Sequence, residues 1–323
     1  MDQSTSYSKR VSPYQNCVYC SLSSNRGDRF MRELAPLVQP ILKFTKKNEV
    51  IVLSPTGILH AIPLHALEVE DKTPLLERNP VVYSASLSIL RLCHLRRQQH
   101  PFSANPKAVV FGNPSEDREG GTGSANEIAQ LFNVEAKTCQ NATKKDFLQD
   151  INDTDFVLFH GHAHTHPSTS STNDPTLESF LSRPQFTDND TAKTPLDDCI
   201  EFANGSLLTA REIFEIGVRG HFTLIACGSG TQTIGIGDEP SGLISSLLVS
   251  GAWSVVGTLW PITDDDGRDF SKVFYATLLE GQRQTAHVNL AEAVRAAALH
   301  LRARESKNEP FHWASFVLHG CWF

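Results

Sequence analysis

A cysteine and two histidines follow directly after short apolar runs of this 323-residue sequence. Cys227 comes after residues 221–226, and His160 and His162 come after residues 155–159. Both runs have the length and composition of buried strands, and reactive side chains of open α/β sheets gather beyond the carboxyl ends of such strands. A thiol and an imidazole on adjoining strand ends can supply the nucleophile and the base of cysteine-dependent catalysis.

Small residues surround both strand ends. Gly228 leaves the thiol uncovered, and the backbone amide of Cys227 can act as one oxyanion donor. Gly161 and Ala163 leave room for a second donor beside the histidines. The alternative for Cys227 is a buried core cysteine, which is the commonest fate of a reduced thiol.

Zinc binding is the competing chemistry for the histidines. Histidines occupy four alternate positions: His160, His162, His164 and His166. Two or three of these imidazoles would share one face of a strand and could bind zinc. The pattern has no cysteine or carboxylate partner at a standard spacing, although Asp155 or Asp174 could serve.

The elements that must position these residues alternate between strand and helix lengths. Strands are predicted at residues 49–54, 58–63, 81–83, 108–111, 155–159, 221–226, 254–260 and 316–318. Helices are predicted at 86–97, 125–132, 144–151, within 207–216, and at 241–250, 266–279 and 289–302, whereas the glycine-rich residues 116–124 are predicted to form a loop. Thr143 and Thr209 are the expected N-caps. This alternation predicts an α/β fold with a mostly parallel sheet flanked by helices.

Composition excludes several classes of function. The net charge of −7 and the absence of long Lys/Arg clusters argue against nucleic-acid binding. No apolar stretch has the length of a membrane span or a signal peptide, so a reducing cytoplasmic location is expected. The seven cysteines form no disulfide framework, and the lone CxxC of Cys17 and Cys20 is interpreted as incidental.

Six segments in order resemble the CHAT domain family, a caspase- and separase-like group of cysteine peptidases in clan CD. They are residues 50–67, 155–163, 207–213, 224–230, 242–264 and 312–320, and they include the sequences HGHA at the histidines and ACGSG at the cysteine. The resemblance covers most of the chain from residue 49 onwards. It implies a peptidase domain at 47–323. Composition predicts a polar N-terminus with a short helical segment at 1–46 and a polar surface insertion at 166–198.

The resemblance also implies roles for individual residues. It selects His162 as the catalytic histidine and Cys227 as the nucleophile of a Cys–His dyad that needs no cofactor. This chain has Ala163 after the histidine, and the backbone N–H of an alanine can still reach an oxyanion. The family relationship implies a protein substrate and a signalling, defence or cell-death role, with an activating partner protein as one option. The alternatives are an inactive caspase-like scaffold and, more remotely, a zinc-dependent hydrolase.

Four residues are expected to line a substrate groove. Asp264, Trp260, Asp238 and Glu239 follow the catalytic segments in the sequence. An acidic wall of this kind would suit a basic substrate side chain. The alternative for the acidic run at 264–266 is a cap on the N-terminus of the next helix.

Overall fold

The computed structural model describes residues 31–70, 73–102, 105–165, 194–235, 238–285 and 288–323. Cys17, Cys20, Asp174, His166 and residues 166–193 of the predicted insertion lie outside these ranges. The strands are β1 (Ile51–Leu53), β2 (Glu68–Glu70), β3 (Thr73–Pro74), β4 (Val81–Tyr83), β5 (Ala108–Gly112), β6 (Lys137–Thr138), β7 (Phe156–Gly161), β8 (Ala163–His164), β9 (Cys199–Phe202), β10 (Ser206–Thr209), β11 (His221–Ala226), β12 (Thr233–Ile234), β13 (Pro240–Ser241), β14 (Ser254–Thr258) and β15 (Phe316–Gly320). The helices are α1 (Leu75–Arg78), α2 (Leu87–Gln99), α3 (Glu119–Phe132), α4 (Lys144–Asp150), α5 (Ala210–Glu215), α6 (Leu243–Ser250), α7 (Asp264–Thr285), α8 (Leu290–Arg302) and α9 (Pro310–Trp313).

Eight of these strands form one sheet in the order β1-β4-β15-β14-β11-β7-β5-β6. Adjacent strands are parallel throughout, except for the antiparallel pair β14–β15. The predicted mostly parallel sheet is therefore confirmed. Because β14, β11, β7 and β5 run in the same direction side by side, their carboxyl ends lie along one edge of the sheet.

The central strands divide their side chains between two cores. In β7, Phe156 and Leu158 pack into one core, while Val157 and Phe159 pack into the other. Helices α3, α7 and α8 cover the first face, and α2, α4, α5 and α6 cover the second. Burial on both faces explains why β7 and β11 are continuous apolar runs and were recognisable in the sequence.

The segment that precedes β1 belongs to the same body. Residues 35–37 and 39–43 form short 3-10 helices, and Pro36 and Pro40 are the second residues of these helices. Met31 and Val38 are buried in the core beneath α7 and α8. Residues 31–46 are thus packed onto the sheet domain.

The strand predicted at residues 58–63 is wrong, whereas the strand predicted at 49–54 is present as β1. β1 is the edge strand and pairs only with the parallel β4, and residues 57–61 form a 3-10 helix. Hydrogen bonds from Leu59 N to Thr56 O and from Ile62 N to Leu59 O are local. The apolar side chains after Gly57 reach the core from this compact turn, without a second strand.

The loop predicted at residues 116–124 is also wrong, because α3 begins at Glu119. A Cβ at Gly120 would lie 2.6 Å from Asp264 Cβ, and one at Gly121 would lie 3.2 Å from the carbonyl oxygen of His160. These glycines allow α3 to approach α7 and β7 closely. The glycines at 116–124 were interpreted as a loop signal, but those within α3 are there because the helix packs tightly against its neighbours.

The helix caps agree with expectation. Thr143 Oγ1 accepts a hydrogen bond from Asp146 N, and Thr209 forms a reciprocal capping box with Glu212. Within the described ranges, no helix combines the length and the apolar character needed to cross a bilayer.

Candidate active site

Four neighbouring strand ends supply the residues of the candidate site. Asp117 and Arg118 follow β5, His162 follows β7, Cys227 follows β11, and Asp264 follows β14. Since these strands are adjacent and parallel, residues far apart in the sequence meet at one edge. Ala226 pairs with Gly161, so the next residues, Cys227 and His162, leave the sheet side by side.

Cys227 occupies the corner of a tight turn. Ser229 N donates to Ala226 O at 3.0 Å, and Gly228 has φ of +68°, the conformation that a type II turn requires at its third residue. Thr258 Oγ1 donates to the same Ala226 carbonyl at 2.7 Å and ties the turn to β14. The glycine after the cysteine is therefore needed for the backbone as well as for access to the thiol.

The sulfur of Cys227 contacts an arginine. Arg118 Nη2 donates to Cys227 Sγ at 3.0 Å, and Arg118 Nη1 donates to Asp264 Oδ1 at 2.8 Å. The Arg118 side chain is only 13% exposed. Among the described residues, no hydrogen bond joins the sulfur to His162, so the arginine is its polar partner in this structure.

His162 has a carboxylate partner of its own. Its Nε2 lies 2.9 Å and 3.0 Å from the two carboxylate oxygens of Asp117. Partial burial acts to raise the pKa of Asp117, but hydrogen bonds from Ser115 and His162 outweigh it and hold that pKa below its ordinary value. Asp117 is thus an anion that can orient the imidazole and stabilise its protonated form.

The backbone after His162 is placed to offer a donor. Glu201 N donates to His162 O, which makes 162/201 a hydrogen-bonded pair of the antiparallel β8–β9 ladder. The next pair, Ala163 with Ile200, is then a non-hydrogen-bonded pair. The Ala163 N–H consequently points away from β9, as an oxyanion donor would need to do.

Asn113 organises the loop that carries Asp117 and Arg118. It is buried, has a positive φ of 51°, and its backbone N–H donates to His160 O. Its side chain accepts from Arg118 N at 2.8 Å and donates to Thr122. The loop is therefore fixed both to the end of β7 and to the first turn of α3.

Asp264 lies between Arg118 and a buried histidine. His160 is fully buried, and its Nε2 lies 3.9 Å from Asp264 Oδ1, beyond hydrogen-bonding distance. Burial lowers the pKa of His160 against the opposing effect of Asp264, which favours a neutral ring. Burial acts to raise the pKa of Asp264, but His160 and Arg118 hold it below its ordinary value.

The end of β7 at Gly161 separates His160 from His162 and His164. His160 faces the core under Gly267, while His162 and His164 bind Asp117 and Glu201 through their Nε2 atoms. Within the described ranges, no three His, Cys, Asp or Glu side chains are grouped as metal ligands would be. His160 is thus separated from the other two described histidines, whereas the rings of His162 and His164 stack with their centroids 6.4 Å apart.

The four residues expected to line a substrate groove are in different surroundings. Trp260 is 3% exposed and packs in the core, and its indole N–H donates to Phe311 O, so little of its side chain is available to a substrate. Asp264 stands in the first turn of α7, as the capping alternative expected, and is ion-paired with Arg118. Asp238 and Glu239 lie beside β13, where Asp238 Oδ1 accepts from Gly57 N at 2.5 Å.

Sequence reasoning missed Asp117 and Arg118. Both follow the carboxyl end of β5, so the rule that singled out His162 and Cys227 applied equally to this third strand. Both lie in the part of the predicted 116–124 loop that the structure keeps as a loop, directly before α3. The short strands β8, β9 and β10, which hold the backbone beside His162, were missed as well.

Comparison with known families places residues 29–321 on a model described as the CHAT domain. The chain is similar to tetratricopeptide repeat protein 28 of Homo sapiens and of Mus musculus. The human protein is 22% identical over 293 residues, which cover 87% of this chain and 11% of the relative. The mouse protein is 24% identical, over 71% of this chain and 10% of the relative. The chain therefore spans about a tenth of the length of these curated relatives.

Two solved structures share the fold. Separase in the Saccharomyces cerevisiae separase–securin complex has a TM-score of 0.56 at 16% identity, over 84% of this chain and 15% of that chain. The Arg-specific cysteine proteinase gingipain R has a TM-score of 0.55 at 9% identity, over 92% of this chain and 67% of that chain. At these identities the likeness shows the fold, a caspase-like α/β sandwich, and leaves the chemistry to the residues of the site.

Proposed function

Because the chain belongs to the CHAT domain family, we propose that it is a cysteine endopeptidase in which Cys227 attacks a peptide carbonyl and His162 transfers the proton. The observation that carries the proposal is the register of β7 and β11, which brings His162 and Cys227 off adjacent strand ends. The glycine-containing turn leaves Cys227 partly exposed, and Asp117 holds the imidazole. These are the parts that nucleophilic catalysis by cysteine requires.

The reaction follows from those parts. The Cys227 sulfur, as thiolate, forms a bond to the carbonyl carbon while the oxyanion is held by the amides of Cys227 and Ala163. The C–N bond breaks, and protonated His162 gives its proton to the leaving amine. Water then attacks the thioester, passes a proton to His162 and releases the carboxylic acid and the thiolate. Each oxyanion donor contributes on the order of 3 kcal/mol.

Protein is the proposed substrate, and the proposal specifies no preferred residue before the scissile bond. A basic side chain directed at Asp264 would have to compete with Arg118 for that carboxylate. The curated relatives carry tetratricopeptide repeats in their name, and helical repeats are common binding surfaces for other proteins. A repeat-bearing segment or partner that controls access to the site, within a signalling, defence or cell-death pathway, is part of the proposal.

A second candidate is a caspase-like scaffold without turnover. The observation that favours it is the pairing of the sulfur with Arg118 and of His162 with Asp117, which leaves the two groups without a mutual hydrogen bond. Tight catalytic hydrogen bonds often form only in the substrate complex, so the peptidase remains the better supported function.

The test is proteolysis by purified wild type and Cys227→Ala, with new protein termini mapped by mass spectrometry after incubation with a proteome. We expect the new termini to disappear in Cys227→Ala and to fall by about 10²–10⁴-fold in His162→Ala, which is the usual contribution of a general acid–base group. Cys139→Ala is the matched control, because Cys139 is another partly exposed free cysteine. Identical termini from wild type and Cys227→Ala would eliminate the peptidase, and their absence from both would favour the scaffold.

A further inference from the structure

In a Cys–His dyad the histidine usually both activates the thiol and protonates the leaving amine. In this structure the Cys227 sulfur and His162 have different polar partners. The sulfur accepts from Arg118, and His162 is held by Asp117 on the adjacent strand end. Both described side-chain hydrogen bonds of Arg118 end within the site, one on Cys227 and one on Asp264. Its guanidinium has no other described hydrogen bond that would account for its burial.

We infer that Arg118 is a catalytic residue that holds Cys227 in the thiolate form, and that Asp264 is the residue that positions it. The inference rests on the proposed function and concerns how the nucleophile of that site is prepared. His162, oriented by Asp117, is then left to protonate the leaving amine.

The chemistry of the contact favours the charged sulfur. A neutral thiol is a weak acceptor, whereas a thiolate accepts strongly from a cation. Cysteines beside arginine or lysine are the reactive ones in proteins, because the positive charge stabilises the nucleophilic anion. At 3.0 Å, Arg118 Nη2 is within direct contact of Sγ.

The geometry also requires an arginine specifically. The planar guanidinium presents separate N–H groups in a fixed arrangement, so one can bind Asp264 while another is aimed at the sulfur. Asp264 is fixed in turn as the first residue of α7. A lysine at 118 would keep the charge but could not hold both partners in this arrangement.

The experiment measures the reactivity of Cys227 without any protein substrate. The full chain is treated with iodoacetamide at neutral pH, and alkylation of the Cys227 peptide is followed by mass spectrometry, which separates it from the other cysteines. The ultraviolet absorbance of the thiolate, measured as the difference from Cys227→Ser, gives an independent readout. Variants are Arg118→Gln, Arg118→Lys and Asp264→Asn, each checked for an unchanged melting temperature.

We expect Arg118→Gln to slow alkylation about tenfold and to remove the absorbance difference, since a hydrogen bond to a charged group is lost. Arg118→Lys should fall between wild type and Arg118→Gln, and this conservative variant keeps the test valid if the glutamine variant unfolds. Asp264→Asn should slow alkylation less than Arg118→Gln. The matched control is Arg268→Gln, which removes an arginine of α7 that pairs with Glu127 of α3 away from the sulfur.

An unchanged alkylation rate in Arg118→Gln would overturn the role of Arg118, and a faster rate would show that the arginine shields the sulfur instead. An unchanged rate in Asp264→Asn would overturn the positioning role. A slowed rate in a protein that cleaves nothing would support this inference while the proposed function failed. If Arg118→Gln cleaves protein as well as wild type and its Cys227 is alkylated at the wild-type rate, the proposed function stands and the role of Arg118 is overturned.

Discussion

At the scale of single residues, the site pairs each reactive group with a polar partner. His162 and Asp117 form a contact that fixes the imidazole, while the Cys227 sulfur has a separate contact with Arg118. Such a third group orients a catalytic base and stabilises its protonated form. The Asp117 side chain is 58% exposed, so its contribution is expected to be modest.

Asp117→Asn is expected to lower kcat for peptide cleavage by up to about fivefold, because the imidazolium loses an exposed anionic partner worth at most about 1 kcal/mol. KM and the alkylation rate of Cys227 should stay unchanged, since Asp117 does not contact the sulfur. Steady-state kinetics on a peptide identified by terminus mapping would check this. Asp153→Asn is the control, because Asp153 pairs with Lys107 away from the site. An equal kcat for Asp117→Asn and wild type would contradict the prediction.

At the scale of elements, the site depends on how closely α3 approaches α7. Gly120 and Gly123 lie on α3, and each faces a residue of α7. A Cβ at Gly120 would collide with Asp264 Cβ at 2.6 Å, whereas one at Gly123 would meet the guanidinium end of the exposed Arg268 side chain at 3.2 Å. The two glycines therefore form a matched pair for mutation.

Gly120→Ala is expected to displace Asp264 and, through it, Arg118. Overpacking of this kind costs about 1–3 kcal/mol, against a gain of about 1 kcal/mol in helix propensity. The variant should melt at or below the wild-type temperature and should alkylate Cys227 more slowly. Gly123→Ala should melt at or above the wild-type temperature with unchanged alkylation. Thermal unfolding and alkylation kinetics test the pair, and equal behaviour of the two variants would refute it.

The elements themselves were largely predictable where burial was complete. The strand at residues 221–226 was predicted with the bounds that the structure shows, because its side chains face apolar cores on both sides. The caps at Thr143 and Thr209 were predictable from local chemistry. The start of α3 was not predictable, because its glycines are required by close packing against α7, and the local sequence gives no information about that contact.

At the scale of the whole molecule, buried histidines tie stability to pH. Burial lowers the pKa of His65, His221 and His319 to about 3, from an ordinary value of 6.5. Below pH 6.5 the unfolded chain takes up protons that the folded chain does not accept until about pH 3. Folding stability is therefore complete above pH 6.5 and falls as the pH is lowered through that window.

Between roughly pH 4 and pH 5.5, the three histidines together should cost about 4 kcal/mol per pH unit. Urea unfolding at a series of pH values measures this slope. His221→Gln should reduce the slope by about one proton, or about 1.4 kcal/mol per pH unit. His221 contacts Ser254 and Thr223, so the variant is also expected to be less stable at neutral pH. A flat stability from pH 7 to pH 4 would contradict the prediction.

The sequence by itself determined the class of fold, the family and the two strand ends that carry Cys227 and His162. Those features depend on local apolar runs and on small residues next to them, and both are visible along the chain. Only the tertiary structure decided the contacts of the sulfur. Arg118 lies 109 positions from Cys227 and 146 from Asp264, and strand order alone brings them together. The same packing buried Trp260 and made Asp264 a partner of Arg118, because long-range contacts are fixed by the order of the strands in the sheet.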